Sequence, residues 1–424
     1  MGIDRSCLAV LTAVLSLASS CTNAALADDC ARAKVGRDPT SVHWLSHDCV
    51  DTATGARVPF FLAGVGGPEG FLYLPKSRQH EIIDALVDHG GNGIYFESIR
   101  SHGGDGTPEE NPFVDHDPTK AVSRRTLRRW ETIFRRLDRA GITLFFLLYD
   151  DGANPFGCGV PLSASESAYI ETIVTRFKHH RHLIWITQEE FSEACPGTAK
   201  QKAIAALVRS LDPIHAVGVH HLNGQSMQFG GDPSIQIYAQ QAGRTWAGVD
   251  YMHALAGKAG WGNWIYVMAE AHPWHADLLA GGNQNRAILR QSFWATAMAG
   301  GYVLLYDAFE THDPTPEMLG DLRRLQQFME STSLSALSPH DEVRFGSTKW
   351  VLAEPAHRLY VLYSNASPQG LGVTNLPAGT YRLDWFDPAS GTRVQSTQTV
   401  QGGNVSFAKP PAIGPEAALY LRPQ

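Results

Sequence analysis

The sequence predicts a (β/α)8 TIM barrel followed by a small antiparallel β-sandwich domain. Eight short apolar segments of strand character, the first at residue 58 and the last ending at residue 306, alternate with segments of helical periodicity. From residue 341 onward the pattern changes to short alternating strands separated by turns such as Pro377-Ala378-Gly379. We therefore expect the barrel at residues 58–330 and the β-sandwich at residues 331–424.

The strand candidates of the barrel are runs of β-branched, aromatic and large aliphatic residues. They lie at residues 58–63, 93–96, 142–148, 183–186, 216–219, 235–238, 264–268 and 302–306. An open doubly wound sheet is the alternative, and it predicts a glycine-rich phosphate turn after the first strand. Residues 64–68 are rich in glycine, but they include Pro68 and no helical pattern follows directly, so this alternative is disfavoured.

Composition indicates a globular chain. The 424 residues are 43% hydrophobic and 18% charged, which suits one large domain and one small one. The net charge of −7 gives no indication of a nucleic-acid partner or of an anionic membrane surface. We expect no cofactor, and the composition does not define an oligomeric state.

The first 27 residues are typical of a secretory signal. Arg5 precedes an apolar run at residues 7–17, and small residues ending at Ala27 predict cleavage there. The run is too short for a membrane span. Lipid attachment at Cys21 is the alternative, because residues 18–21 resemble a bacterial lipobox. We expect a secreted or periplasmic protein without a transmembrane segment.

Cleavage after residue 27 leaves four cysteines, an even number in an oxidising compartment. Three pairings are possible. Cys30 and Cys49 would close a loop in the N-terminal segment at residues 28–57, and Cys158 and Cys195 follow two successive strand candidates. A zinc site is the rival, but no two of these cysteines have the short spacing of metal clusters.

Carboxylates follow two strands that lie across the predicted barrel from one another. Gln188, Glu189 and Glu190 come after the fourth strand, and Glu270 follows the seventh. The carboxyl ends of barrel strands carry catalytic residues, and glycoside hydrolysis needs one carboxyl group to donate a proton and one to attack or to activate water. The simpler alternative is that these acids stabilise the first turns of helices. Two matching strand ends favour a catalytic pair.

Polar side chains follow other strands on the same predicted face, and such clustering suits a sugar-binding cleft. The candidates for substrate binding are Glu97, Arg100, Asp150, Gln188, His221, Asn223, Gln240, His272, Trp274 and Asp307. Further polar residues on this face are Asp151, His220, Gln241 and Glu310. Trp246, Trp261, Trp264 and Trp274 are candidates for stacking on sugar rings, although core tryptophans are more common.

Two other kinds of hydrolase are weaker alternatives. The histidines His220, His221, His272 and His275, with Asp150 and Asp151, could hold zinc. Barrel metallohydrolases usually carry a His-x-His after the first strand, and this chain has no ligand there. A Ser-His-Asp enzyme is disfavoured because no Gly-x-Ser-x-Gly motif follows any strand. We therefore predict no metal site.

Several stretches resemble the apiosidase-like glycoside hydrolases of the clan A type, which carry a small C-terminal domain labelled as collagen-binding. These stretches are FFLAG, LIWITQEE, YVMAEAHPWH, RAILRQSFWATAMAGGYVLLYD and LPAGTYRLDWFDPASGTRV. They are distributed over most of the mature chain. The resemblance implies a (β/α)8 barrel and a retaining glycosidase. It places the nucleophile on Glu270 and the acid/base on Glu190, five residues after Trp185.

The residue before the acid departs from the family pattern. Clan A enzymes usually have Asn at that position, and here it is Glu189. A register shift of one would instead make Gln188 and Glu189 the equivalent pair, so the choice between the two glutamates stays open. The overall expectation is an exported retaining glycosidase acting on a poly- or oligosaccharide. The alternatives are a secreted glycan-binding protein without catalysis and, less favoured, a metal-dependent hydrolase.

Overall fold

A computed structural model describes residues 30, 33–52, 54–67, 69–100, 106–242, 248–260, 262–270, 280–282, 285–310, 312–366 and 369–424. Strands β1 (Val35–Arg37), β2 (Leu45–Val50) and β3 (Arg57–Phe60) form a small antiparallel sheet. A closed barrel of parallel strands follows, in the order β4 (Ala63–Gly66), β5 (Gly93–Glu97), β6 (Thr143–Leu147), β7 (Leu183–Ile186), β8 (Val217–His221), β9 (Ile237–Gln241), β10 (Ile265–Glu270) and β11 (Gly301–Tyr306). The predicted (β/α)8 barrel is confirmed.

Helices connect most barrel strands. They are α1 (Lys76–His89), α2 (Arg124–Arg139), α3 (Ala164–Phe177), α4 (Ala199–Leu211), α5 (Val249–Gly260), α6 (Arg286–Met298) and α7 (Pro316–Glu330). Short 3-10 turns lie at Glu69–Leu72, Val114–His116, Leu334–Ala336 and Asp341–Val343. Ser123, Ser163 and Thr315 precede three of the helices and accept a hydrogen bond from a first-turn N–H, which satisfies a group that the helix itself cannot. Within the described part of the chain, no helix is both long and apolar enough to cross a membrane.

The first barrel strand differs from the prediction. The segment 58–63 was expected to be that strand, but β3 pairs with β2 outside the barrel, and the glycine-rich segment Ala63–Gly66 enters the barrel instead. A Cβ atom on Gly64 would lie 2.4 Å from the carbonyl oxygen of Gly93, and one on Gly66 would lie 2.6 Å from that of Ala269. Glycine is therefore required where the neighbouring backbones approach closely, which hides this strand from a search for large apolar residues.

The small sheet of β1, β2 and β3 covers the amino-terminal end of the barrel. The N–H of Val35 donates to the carbonyl oxygen of Arg181, two residues before β7 (2.8 Å). The N–H of Leu45 donates to the hydroxyl of Tyr302 in β11 (2.6 Å). The apolar interior of the barrel is thereby closed at one end, and the carboxyl end of the strands is left for loops.

Two disulfides tie down the surface segments. Cys30 pairs with Cys49 in the N-terminal segment, and Cys158 pairs with Cys195 between the loops after β6 and β7. These are the two pairings that the spacing of the cysteines suggested. The proposed signal segment 1–27 and Cys21 lie outside the described residues.

Antiparallel sheets form the C-terminal domain, as predicted. A six-stranded sheet has the order β12 (Ser338–Pro339), β14 (Trp350–Ala353), β15 (Tyr360–Ser364), β20 (Ala417–Pro423), β17 (Gly379–Phe386), β18 (Arg393–Val400). A three-stranded sheet has the order β13 (Arg344–Gly346), β16 (Gly370–Leu376), β19 (Gly403–Ala408). Leu371 and Phe407 of the smaller sheet share a buried cluster with Leu362 and Trp385 of the larger one.

The larger sheet packs on the barrel with its other face. Trp350 and Tyr363 belong to the same buried cluster as the barrel interior. The ring of Trp294 in α6 stacks on that of Tyr363, with centroids 5.0 Å apart. Beside this stack, Glu416 accepts hydrogen bonds from Nε and Nη2 of Arg290 (2.9 and 2.7 Å) and from the hydroxyl of Tyr363 (2.9 Å). A buried, hydrogen-bonded ion pair therefore joins the two parts of the chain.

We expect Glu416→Ala to lower the free energy of unfolding by about 3 kcal/mol, because it leaves the buried Arg290 guanidinium without its main counter-charge. Urea denaturation followed by tryptophan fluorescence measures this. Lys120→Ala, which removes an exposed ion pair with Asp115, is the control and should change stability far less. Equal effects of the two substitutions would contradict a role for the Arg290 pair in joining the parts.

Candidate active site

Glu189 and Glu270 converge at the carboxyl end of the barrel. Glu270 is the last residue of β10, and Glu189 is the third residue after β7 ends. One oxygen of each carboxyl group and one ring nitrogen of His220 all lie within 4.8 Å of one another. The two glutamates are only 6% and 2% exposed. The chain therefore places two buried carboxyl groups almost in contact.

Glu190 belongs to a different cluster of acids. Its backbone has a φ of 35°, in the left-handed region, so the chain changes direction immediately after Glu189. Its carboxylate is grouped with those of Asp151 and Glu193, with one oxygen of each within 4.8 Å of the others. Of the two glutamates between which the sequence left a choice, the structure brings Glu189 to Glu270.

The carboxyl group of Glu270 faces three potential donors. Nε2 of Gln241 donates to Oε2 (3.1 Å), and the hydroxyl of Tyr95 lies 3.3 Å from Oε1. Nε2 of His220 lies 3.4 Å from the same Oε1. Glu189 receives a shorter bond from the Tyr95 hydroxyl, which is 2.6 Å from its Oε1. The donors therefore favour negative charge on Glu270 more than on Glu189.

The proton of His220 can be assigned from its surroundings. The backbone N–H of Glu190 donates to Nδ1 (3.1 Å), so Nδ1 must be the unprotonated nitrogen and Nε2 carries the hydrogen. Burial, followed by the neighbouring His221, lowers the pKa of His220 to about 3, so the ring stays neutral. Nε2–H then lies 3.4 Å from Oε1 of Glu270, without the alignment of a hydrogen bond.

The two carboxyl groups perturb one another. Burial raises the pKa of Glu189 well above its ordinary value, and the adjacent charge of Glu270 raises it further. Burial also raises the pKa of Glu270, but hydrogen bonds from Glu189 and Gln241 act in the opposite direction. Two such groups hold one proton between them over a wide pH range. The additional donor that Gln241 provides to Glu270 favours that proton on Glu189.

A buried cation balances the acids next to this pair. Nη1 of Arg100 is 3.0 Å from Glu110, its Nη2 is 3.4 Å from Glu69, and its Nε is 3.7 Å from Glu97. One carboxyl oxygen each of Glu69, Glu97 and Glu189 lie within 4.8 Å of one another. Glu97 and Arg100, which the sequence predicted to bind substrate, are thus engaged with one another beneath the surface of the site.

Gln188 and Asp150 shape the loops around the pair. Nε2 of Gln188 donates to the carbonyl oxygens of Asp150 and Ala153 (both 3.2 Å), and its Oε1 accepts from Gln201 (2.8 Å). Oδ1 of Asp150 accepts from the N–H of Ala153 (2.7 Å). These predicted substrate-binding residues therefore bind the protein's own backbone, close to the Cys158–Cys195 bridge.

The other candidates take varied positions. His221 is buried, and its Nδ1 lies 3.1 Å from the carbonyl oxygen of Val219. Gln240 is buried and donates to the carbonyl oxygen of Gln225 (3.1 Å). Asn223 is exposed in the turn after β8. Asp307 is buried in the turn after β11, with a φ of 58°. None of these four lies in the group of atoms formed by Glu189, His220 and Glu270.

The tryptophan candidates are mostly outside the described residues, as are His272 and His275. The three tryptophans outside the described residues are Trp246, Trp261 and Trp274. Trp264 immediately precedes β10 and therefore lies at the amino-terminal end of the barrel, away from the carboxyl pair. It packs against Tyr238 instead of forming a stacking platform at the mouth.

Tyr95 was missed by the sequence reasoning. It lies inside β5, where a tyrosine is expected to belong to the core. Alternate residues of a strand point to the same face, so the prediction that Glu97 faces the barrel mouth already placed Tyr95 on that face, one layer deeper. The alternation of residues along the strand was therefore the sequence signal that could have identified Tyr95.

Glu189, His220 and Glu270 are residue types that bind metals. The protonation of the His220 ring, however, is unsuitable for metal binding. Because Nδ1 of His220 accepts the N–H of Glu190, its Nε2 bears a hydrogen and has no lone pair to offer a metal. Nothing else in the geometry of the three residues requires a metal. Their arrangement suits proton transfer and nucleophilic attack.

Comparisons with known proteins support the architecture. A scan against protein-family models matches none, and a search of curated proteins finds no match. Among solved structures, the chain is similar to a family 5 glycoside hydrolase from Bacteroides vulgatus ATCC 8482, with 14% identity, a TM-score of 0.68, and coverage of 92% of this chain and 94% of that one. Another structure, a glycoside hydrolase, gives 13% identity, a TM-score of 0.64, and coverage of 93% and 97%. At such identities the similarity establishes the fold.

Proposed function

We propose that the protein is an exported retaining glycoside hydrolase that cleaves a poly- or oligosaccharide, with Glu189 as the general acid/base and Glu270 as the nucleophile. The observation that carries this proposal is the buried pair of Glu189 and Glu270 at the carboxyl end of the barrel. Glu189 replaces Glu190 as the preferred acid/base, because Glu190 faces Asp151 and Glu193.

The reaction proceeds in two displacements. Protonated Glu189 gives its proton to the glycosidic oxygen while a carboxylate oxygen of Glu270 attacks the anomeric carbon, so the leaving alcohol departs and an ester forms. Glu189, now a carboxylate, takes a proton from water as the water oxygen attacks the anomeric carbon. The ester bond to Glu270 breaks, and Glu189 is protonated again.

The short separation of the carboxyl groups supports retention over inversion. Retaining pairs are about 5 Å apart, whereas inverting pairs leave about 6.5–9.5 Å for an intervening water. One oxygen of Glu189 lies within 4.8 Å of one oxygen of Glu270, which is nearer to the retaining separation. The donors around Glu270 suit a nucleophile that must be negatively charged before it attacks.

Further observations support the class of substrate and the compartment. The solved structures that share this fold over nearly the whole chain are described as glycoside hydrolases, so a carbohydrate is the proposed substrate. Two disulfides, together with the signal-like residues 1–27, support export. The apiosidase-like subtype and the collagen-binding label of the C-terminal domain rest on sequence resemblance.

Substitutions can distinguish the roles of Glu189 and Glu190, which follow β7. We expect Glu189→Ala and Glu270→Ala each to lower kcat/KM by about 1,000-fold or more on a glycan, because each removes a group that the reaction needs. Glu190→Ala should lower it far less. Nitrophenyl furanosides, nitrophenyl pyranosides and bacterial exopolysaccharides provide the initial screen. Loss of activity in Glu190→Ala with retention in Glu189→Ala would overturn the assignment of the acid/base.

The stereochemistry of the first product tests the retaining mechanism. NMR spectra recorded early in the reaction should contain the anomer of the substrate configuration, because two inversions restore it. Glu270→Gly with added azide should release a glycosyl azide of the opposite configuration, since azide enters the space left by the nucleophile. An inverted first product from the unaltered protein would exclude the retaining assignment.

The pH dependence follows from the shared proton. Activity should fall at high pH as Glu189 loses its proton, and at low pH as Glu270 gains one. Since burial raises both pKa values, the acidic limb should lie above the ordinary glutamate pKa of 4.5. Profiles of kcat/KM measure both limbs. The alkaline limb should vanish in Glu189→Ala on substrates with activated leaving groups, and its persistence would mean that another group is the acid.

The same preparations distinguish the alternatives from the sequence. A metal-dependent hydrolase would lose activity on prolonged dialysis against a chelator, whereas the proposed mechanism predicts no loss. A glycan-binding protein without catalysis would bind a glycan in calorimetry and give no turnover across the screen. Either result would replace the proposal.

A further inference from the structure

We propose that Tyr95 is a positioning residue whose hydroxyl donates a hydrogen bond to whichever of Glu189 and Glu270 is the carboxylate, and so stabilises the negative charge as it passes between them in both displacements. The inference rests on the proposed function, because it assigns the pair to two half-reactions. It concerns a residue on β5, away from the two strands that carry the glutamates.

One oxygen atom reaches both carboxyl groups. The Tyr95 hydroxyl is 2.6 Å from Oε1 of Glu189 and 3.3 Å from Oε1 of Glu270. A phenol has one hydrogen, so it can donate to one of these oxygens at a time and accept from the other. Rotation about the C–O bond exchanges the two arrangements without moving any heavy atom.

The ring of Tyr95 is held so that only its hydrogen moves. It stacks on Phe145 with centroids 5.7 Å apart and 17° between the planes, and it meets the edge of His220 at 6.2 Å. Its side chain is fully buried. Burial and the adjacent charges of Glu189 and Glu270 raise the pKa of Tyr95 well above the ordinary tyrosine value, so the group remains a phenol.

The two carboxyl groups depend on this hydroxyl to different extents. Glu270 has a further donor in Gln241, and His220 lies 3.4 Å away. Among the described residues, the Glu189 side chain receives hydrogen bonds from Tyr95 and from its partner carboxyl group. When Glu189 becomes the carboxylate, a buried negative charge appears there, and the Tyr95 hydrogen is available to stabilise it.

The hydrogen positions balance through the cycle. Before the first displacement Glu189 holds the proton and Tyr95 donates to the Glu270 carboxylate. Transfer of the Glu189 proton to the leaving oxygen and esterification of Glu270 move the charge to Glu189, and the Tyr95 hydrogen turns to it. Water then supplies a proton to Glu189 and its oxygen to the sugar, Glu270 is released as a carboxylate, and the hydrogen returns.

Tyr95→Phe tests this with little change in packing, because it removes only the hydroxyl. Tyr302→Phe is the matched control, since Tyr302 is also buried in a barrel strand but bonds to Leu45 and Phe60 at the opposite end. The protein is labelled with 13C at the glutamate carboxyl carbons and titrated by NMR without substrate. Glu189→Gln and Glu270→Gln assign the two resonances.

The expected result is that Tyr95→Phe raises the titration midpoints of the pair by about one pH unit, because a hydrogen bond to the charged form is lost. Tyr302→Phe leaves them unchanged. In kinetics, Tyr95→Phe should lower kcat/KM by about 10- to 100-fold and move the acidic limb to higher pH, as loss of a hydrogen bond to a charged group predicts.

Midpoints and pH profiles of Tyr95→Phe that coincide with those of the unaltered protein would overturn the inference. An equal shift in Tyr302→Phe would do the same, since it would indicate a general effect on the barrel. Failure of the proposed function gives a different pattern, in which Glu189→Gln and Glu270→Gln retain turnover although the NMR midpoints respond to Tyr95→Phe.

Discussion

The site depends on the burial of two carboxyl groups against one another. Water cannot screen Glu189 from Glu270, so both cannot be ionised without a large electrostatic cost. The pair therefore keeps one proton, and the unequal supply of donors decides which residue holds it. Gln241, His220 and Tyr95 face Glu270, which favours the proton on Glu189, the proposed acid. In the proposed mechanism, the same repulsion prepares both proton donation and nucleophilic attack.

The scaffold holds this unfavourable pair in place. The sheet of β1, β2 and β3 closes one end of the barrel, and the C-terminal sheets pack against α6 and α7 through Trp294, Arg290 and Phe328. At the carboxyl end, Arg100 offsets the charges of Glu69, Glu97 and Glu110. Such neutralisation lets further acids lie next to Glu189 without adding their full charge to the pair.

Sequence patterns predicted the architecture well and the site in part. Apolar runs separated by helical periodicity located the barrel, and Glu270 was found because it follows a clear strand. The first barrel strand escaped because close backbone approach requires Gly64 and Gly66, which look like a turn. The choice between Glu189 and Glu190 depends on the φ of 35° at Glu190, and nothing in two adjacent identical residues encodes it. Tyr95 was not recognised because its ring is packed in the core, and only its hydroxyl reaches the carboxyl pair.

Trapping the covalent intermediate tests the central claim most directly. A 2-deoxy-2-fluoro derivative of the preferred glycoside slows breakdown of the ester, because the fluorine destabilises the positive charge of the transition state. Proteolysis and mass spectrometry of the inactivated protein then locate the modified residue. The burial and bonding of the pair predict one sugar per chain, attached to Glu270. Attachment to Glu189 or Glu190, or time-independent inhibition without a covalent adduct, would contradict the assignment.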